Sequence, residues 1–352
     1  MKLLDYINNK KTYLIAEMSG NHGGNIKKAL DIVHAAAEAG ADCLKIQTYT
    51  ADTITIDCHT EPFLVKSGLW QNAYLYDLYT KAYTPWEWTK PIKEEAEKLG
   101  MDFLSTPFDF TAVDFLENIG VEYYKIASFE IIDIPLVRKV ARTGKPIIIS
   151  CGMASEEEIK EAVDTVKQAG NSNVILLKCC SAYPTDYASM NLRTIIDMRD
   201  KFGVPVGLSD HSIGTLTDIA AVAMGVPVIE KHICLSREDK TVDGAFSLDK
   251  DEFKQLVTDI RNTELSMGKV NYGPSDDEAQ SYAHRRSLFA VADIKCGEAF
   301  SAINIRSIRP ACGLHTRYYN QLISGKVAAR DIPFGTPLSW EDVNDSDTSR
   351  RK

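Results

Sequence analysis

At 352 residues, with 44% hydrophobic and 25% charged residues, the chain has the make-up of an ordinary globular protein. Its formal net charge of −9 argues against a nucleic-acid partner, since phosphate backbones select basic faces. A few buried lysines can still hold a small anion inside an acidic protein.

The opening MKLLDYINNKKTYLIAE is too polar for a signal peptide, and no apolar run approaches the ~18 residues of a membrane helix. A cytoplasmic location with no membrane partner is therefore expected. Eight cysteines without a CxxC pair read as free thiols in a reducing compartment.

Short β-branched runs then alternate with helical stretches over roughly the first 265 residues, the signature of a parallel sheet. The runs are 13–17 (YLIAE), 42–48, 102–106, 121–128, 146–150, 173–180, 205–209 and 226–232. Between them lie amphipathic segments such as NIKKALDIVHAAAEAG and SEEEIKEAVDTVKQAG, each opening on Asn or Ser and closing on Gly, which are helix cap signals. Eight β/α units favour a closed (β/α)8 TIM barrel over an open doubly wound sheet, and no GxGxxG follows the first run.

Two departures from a minimal barrel stand out. From Thr48 to Thr84 the chain carries a Tyr-, Trp- and Phe-rich insertion, with the next helix expected from Pro85. After Gly268 the pattern changes. The expected organisation is a barrel over 1–268, a polar linker over 269–284 and a small β-rich domain over 285–345. Within that domain DIKCGEAFS (293–301) and DIPFGTPLS (331–339) echo one another, which predicts two pseudo-symmetric turn-and-strand units. An extended linker of some 17 residues could span about 55 Å. The tail 345–352 reads as frayed.

In a barrel the carboxyl ends of the strands form the active-site rim. Nearly every run ends in polar residues: Glu17, Lys45 with Gln47, Thr106, Lys125 with Ser128 and Glu130 beyond it, Ser150, Ser181 and Tyr183, Ser209 with His211, and Glu230 with His232. Any one of these could be a bland surface or structural residue. Together they are harder to dismiss, because charges in apolar strands are rarely buried unless paired or bound. Two lysines among hydroxyls suit phosphate and carboxylate oxygens. His211 and His232, on neighbouring strand ends, could share a divalent metal, shuttle protons or be structural; spacing leaves these open.

The motifs IAEMSGNHGG, DCLKIQTYT, YKIASFEI, GLSDHS and IEKHI, in that order, resemble the sialic acid synthase family. The resemblance extends to residues 285–343, which are similar to its C-terminal antifreeze-like (SAF) domain. TYTADTITID, LYDLYTKAYTPWEW and RSIRPACGL resemble the pseudaminic acid synthase branch more than the N-acetylneuraminate branch. The resemblance implies a transferase that condenses phosphoenolpyruvate with an amino-sugar aldehyde.

By the same resemblance His211 and His232 would be metal ligands, for manganese ahead of magnesium or cobalt. Lys45, Thr106, Lys125, Ser128, Ser150, Ser181, Tyr183 and Ser209 would hold phosphoenolpyruvate. Glu17 would stand beside the metal and aldehyde, and Gln47, Glu130 and Asp243 would hold the sugar. Arg309 would be presented to the other subunit of a domain-swapped homodimer.

The chain departs from the family pattern at HGG (22–24), at Cys151 in SCGM and at Ala311 in RPACG. Cys151 could weaken a phosphate contact, and Ala311 could stiffen the loop around Arg309. Two rival readings are a Schiff-base aldolase using Lys125 or Lys178 and a carbohydrate- or ice-binding protein.

Overall fold

A computed structural model of the chain describes residues 2–346. It divides into two compact units, Met1–Gly268 and Lys269–Lys352. In the first, eight parallel strands close into a barrel in chain order, with the last paired to the first. They are β1 (Tyr13–Glu17), β2 (Cys43–Thr48), β3 (Asp102–Pro107), β4 (Tyr124–Ile126), β5 (Ile147–Ser150), β6 (Val174–Cys179), β7 (Val206–Asp210) and β8 (Val228–His232). Every expected run forms a strand, although β4 keeps only three residues of 121–128.

Alternation along the strands sorts the side chains into two cores. Leu14, Leu44, Ile147, Leu176, Leu208 and Ile229 point outward and pack beneath the helices. Tyr13, Ile15, Leu104, Tyr123, Ile148, Leu177 and Val228 point inward and fill the barrel. Gly207 is required by this filling: a Cβ there would lie 2.4 Å from the Val228 carbonyl and 2.7 Å from Leu177. The interior is therefore apolar towards the strand starts and turns polar only at their ends, which fixes where a site can be.

The expected caps are in place. Asn25 accepts from the backbone of Lys27 ahead of helix Ile26–Ala39, and Ser155 and Glu158 form a capping box on helix Glu156–Gln168. Sequence reading gave no helix at the N-terminus, yet Lys2–Asn8 is helical. Leu3 is fully buried and joins the inner core, with Tyr6 and Ile7 beside it, so this helix plugs the floor of the barrel.

The insertion is also more ordered than expected. Helix Leu75–Ala82 lies within it, and the next helix begins at Thr89, after a turn at Trp86–Trp88, rather than at Pro85. Leu75, Leu78, Tyr79 and Ala82 have helical spacing that the surrounding aromatic residues obscure.

In the second unit the strand Ser287–Ala290 pairs with Ile305–Ile308, and Lys326–Ala328 with Val343–Asp345. The sequence echo becomes a pseudo-dyad. Ile294 bridges Ile332, while the bridges Phe289–Pro337 and Ala299–Val327 are its exchanged pair. Asp293 accepts from the Phe334 amide at 2.7 Å, and Asp331 from the Cys296 amide at 2.8 Å. Phe300 and Leu338 meet in one small core. The segment expected to be an open linker partly coils, with a turn at Asp276–Glu278 and a helix at Ala279–Ala283, so its reach is shorter than a fully extended chain allows. The expected fraying at 345–352 falls mostly outside the described residues. No helix among the described residues is long and apolar enough to cross a membrane.

If the N-terminal helix is a plug, Leu3→Ala should cost about 3 kcal/mol through the cavity it leaves, measured by denaturant unfolding. Unchanged stability would mean that the helix is dispensable.

Candidate active site

Inside the barrel, β1 and β2 place Glu17 directly beside Lys45, and β1 and β8 place Glu17 beside His232. The Lys45 ammonium lies 2.9 Å from Glu17 and 3.4 Å from Glu230. Lys125 donates to Ser150 at 2.6 Å and to the Ile126 carbonyl at 3.1 Å, and stands 3.8 Å from Glu230. All four charged groups are buried.

Burial works against every charge here, and the neighbours decide which groups keep theirs. It opposes the Lys45 ammonium, but Glu17 and Glu230 outweigh it and hold that pKa above its ordinary value. For Lys125 burial prevails over Glu230, and its pKa falls. Burial likewise raises Glu17 despite Lys45, whereas Lys125 and Lys45 pull Glu230 below the usual carboxylate range. With both lysines and both glutamates ionised the four charges cancel.

Hydroxyl and amide groups line the side around Lys125. Lys45 also donates to Thr106 at 3.4 Å. The Gly152 amide donates to Ser128 at 3.1 Å. A Cβ on Gly152 would fall 2.3 Å from the Ser181 hydroxyl and 2.8 Å from that of Ser128, so only glycine leaves this hollow open. Ser181 is buried there without a well-formed hydrogen bond. Ser209 is already committed, donating to Glu230 at 3.2 Å. The Cys151 side chain faces the outer core, its thiol 3.6 Å from the Ile149 carbonyl, so this departure from the family pattern does not touch the hollow.

The two histidines meet on the inner face, ring centroids 5.3 Å apart. His211 Nδ1 is 2.9 Å from the Cys180 carbonyl and 3.7 Å from the Cys179 thiol, which leaves Nε2 as its free lone pair. His232 Nδ1 is buried without a partner. Burial pushes the His232 pKa well below its ordinary value and keeps that ring neutral. No three His, Cys, Asp or Glu side chains among the described residues form a complete metal ligand set. The pair nevertheless fits a divalent ion whose other positions are filled by water or substrate oxygens.

An aromatic wall adjoins the pair. Tyr183 lies 4.4 Å from His211, and Phe246 lies 4.9 Å from His232. Trp70, from the insertion, packs 5.4 Å from Tyr183 and donates to the Val242 carbonyl at 3.0 Å.

On the Glu17 side, Gln47 donates to Glu17 at 3.0 Å and to Ser19 at 3.1 Å. Asp243 is buried, with Ser19 and the Gly20 backbone as its hydrogen-bond neighbours, and burial raises its pKa. Glu130 has one unpartnered buried oxygen, and burial pushes its carboxyl up to about 7 against the pull of Lys125. Lys178 sits on the outer face of β6 and donates to the Cys179 carbonyl at 2.7 Å, away from the interior. Arg309 belongs to the second unit. It is exposed and lines a depression of about 680 Å³ with His284, Arg285, Arg286 and His315.

The NeuB family pattern matches residues 32–272, and a SAF domain matches 285–344. The chain belongs to the NeuB family. It is an enzyme of the transferase class, as its relatives are named synthases. It is 44% identical to the pseudaminic acid synthase of Campylobacter jejuni, over 97% of this chain and 99% of that one. It is 35% identical to the N,N'-diacetyllegionaminic acid synthase of Legionella pneumophila, over 94% of each. Among solved structures, the N-acetylneuraminic acid synthetase of Leptospira borgpetersenii in complex with citrate superposes with a TM-score of 0.68. It is 32% identical, over 77% of this chain and 90% of that one.

Sequence reasoning left three residues out of the site. Gly152 could have been found, because a glycine two residues beyond a strand-end serine is a place where backbone approaches a ligand. Glu230 was visible as a strand-end charge but not as the group shared by both lysines. Phe246 lies in a turn beyond β8, and nothing in its local pattern signals where its ring goes.

Gly152→Ala should fill the hollow and leave the outer cores untouched. The expected result is loss of anion binding by at least about tenfold in calorimetry with phosphoenolpyruvate, with unfolding little changed. Wild-type binding would show that the anion sits elsewhere.

Proposed function

We propose that this NeuB-family enzyme condenses phosphoenolpyruvate with 2,4-diacetamido-2,4,6-trideoxy-L-altrose and water, giving pseudaminic acid and phosphate. The observation that supports this reading best is the charge-cancelled chamber between a Gly152 hollow and a pair of histidines. Phosphoenolpyruvate carries about three negative charges. A chamber whose own charges cancel needs added positive charge to hold it, and His211 and His232 are the residues that would hold a divalent ion, Mn2+ ahead of Mg2+ or Co2+. Such an ion supplies Lewis-acid polarisation of an aldehyde oxygen and offsets anionic charge.

The chain's own residues do the rest. Lys125, Lys45 and the Gly152, Ser128 and Ser181 groups hold the phosphate and carboxylate and set the enol carbon in place. C3 of phosphoenolpyruvate forms a bond to C1 of the open-chain sugar, whose aldehyde oxygen becomes a hydroxyl. Water adds at C2, and the tetrahedral intermediate collapses to a ketone as the C–O bond breaks and phosphate leaves with the proton of the collapsing C2 hydroxyl. Glu17, whose pKa burial raises against the pull of Lys45, moves the proton between water and the new hydroxyl. Gln47, Asp243 and Glu130 hold the sugar. The Trp70–Tyr183–Phe246 wall suits methyl and acetamido groups better than a hydroxyl-rich face. An N-acetylneuraminate or legionaminate synthase of the same family is the second reading, supported by the 35% identity to a legionaminic acid synthase.

In a phosphate-release assay the diacetamido-trideoxy-altrose should outperform N-acetylmannosamine on the order of 100-fold in kcat/KM, and exhaustively demetallated enzyme should release nothing until Mn2+ is restored. Equal efficiency with N-acetylmannosamine would refute the substrate, and full turnover without metal would refute the metal.

We also read Arg309 as completing the site of a second subunit in a domain-swapped homodimer, since a cation on an exposed turn adds the positive charge that the chamber lacks. Mixing Arg309→Ala subunits with Lys125→Met subunits should then restore activity in the heterodimer, where one composite site is intact. Heterodimers that form yet stay inactive would exclude the shared site.

A further inference from the structure

Behind the histidine pair, on the outer face of the same strand ends, lies a second buried charge cluster that the proposed chemistry does not use. Asp210 precedes His211 and Lys231 precedes His232, so alternation sends the first members outward and the histidines inward. Asp210 and Lys231 are direct partners in the β7–β8 register. The Lys231 ammonium bonds to Asp210 and donates to the Ser212 carbonyl at 2.7 Å, with Asp218 at 3.5 Å. Asp210 also accepts from the Ser212 amide and hydroxyl at 2.9 Å each, and from Thr217 at 2.7 Å. Every member of this cluster is buried.

Apolar residues could fill the layer between barrel and helices at lower desolvation cost, because buried ion pairs seldom outweigh what it takes to strip them of water. What such a pair adds is register and direction. A site with only two protein ligands depends on the spacing between them more than one with three or four. We propose that Asp210 and Lys231 are positioning residues that clamp β7 to β8 on the outside and so set the separation and orientation of His211 and His232 for a divalent ion inside. This rests on the reading of those histidines as the metal pair.

The test is Mn2+ affinity, read without substrate by electron paramagnetic resonance of the free ion, alongside thermal unfolding. Asp210→Leu/Lys231→Met removes the direct ion pair, and Asp218, whose pKa burial already raises well above the ordinary carboxylate value, is left to be protonated rather than charged. The double variant should fold and bind Mn2+ at least about tenfold more weakly, as for other residues that orient metal ligands. Thr217→Val, which takes one anchor from Asp210 but leaves the ion pair, should weaken binding by a smaller factor at near wild-type melting temperature; it carries the test if the double variant does not fold. Mn2+ affinity equal to wild type in the folded double variant, or in Thr217→Val where only that variant folds, would overturn the inference. His211→Ala is the control that separates the two readings. If it too binds Mn2+ normally, the metal site itself is wrong, whereas loss there with normal binding in the clamp variants rejects the clamp alone.

Discussion

Lys45 and Lys125 share Glu230 between them, and Glu17 closes the set on the far side of Lys45. Ionised side chains in a barrel interior are tolerable only because each has an opposite charge within a few ångströms, and the parallel register of β1, β2, β4 and β8 supplies that spacing. Removing Lys45 would leave Glu17 without a cation, and removing Glu230 would leave Lys125 without a carboxylate. The set is also poised: its charges cancel, so an incoming anion perturbs it strongly and must bring or find compensating cations.

The rest of the first unit is arranged around keeping that set rigid and dry. Aliphatic and tyrosine side chains fill the lower barrel, and Leu3 packs against them from below. Above, Trp70, Tyr183 and Phe246 narrow the space beside the histidines. The polar groups are thus confined to one layer, where electrostatic interactions are less screened than at a surface.

Much of this was legible in the sequence because strands obey a period of two. Once β1, β2, β7 and β8 were placed, the inward facing of Glu17, Lys45, Ser209, His211, Glu230 and His232 followed from counting. The fold was legible for the same reason, since eight β-branched runs between capped amphipathic helices admit few arrangements. Contacts made by turns were not legible: Phe246 reaches the histidines from a segment with no periodicity, and the helical spacing of Leu75–Ala82 is hidden among aromatic residues. Nor could Cys151 be weighed from composition alone. Its outward direction, fixed by its place one residue after Ser150, makes the substitution a matter of packing rather than of anion binding.

The pseudo-dyad of the second unit separates scaffold from cargo. Asp293 and Asp331, Gly297 and Gly335, and Phe300 and Leu338 are each 38 positions apart and do the same job in each half. The segment 309–325 joins the halves and belongs to neither repeat. Arg309 lies there, exposed at the edge of the duplicated framework, while the rest of the segment braces the two halves: the Leu314 backbone bonds to Leu288 and Leu338, and Leu322 is buried in the shared core. A duplicated fold braced in this way works as a tool holder, in which the exposed tip at Arg309 can change without redesigning the grip.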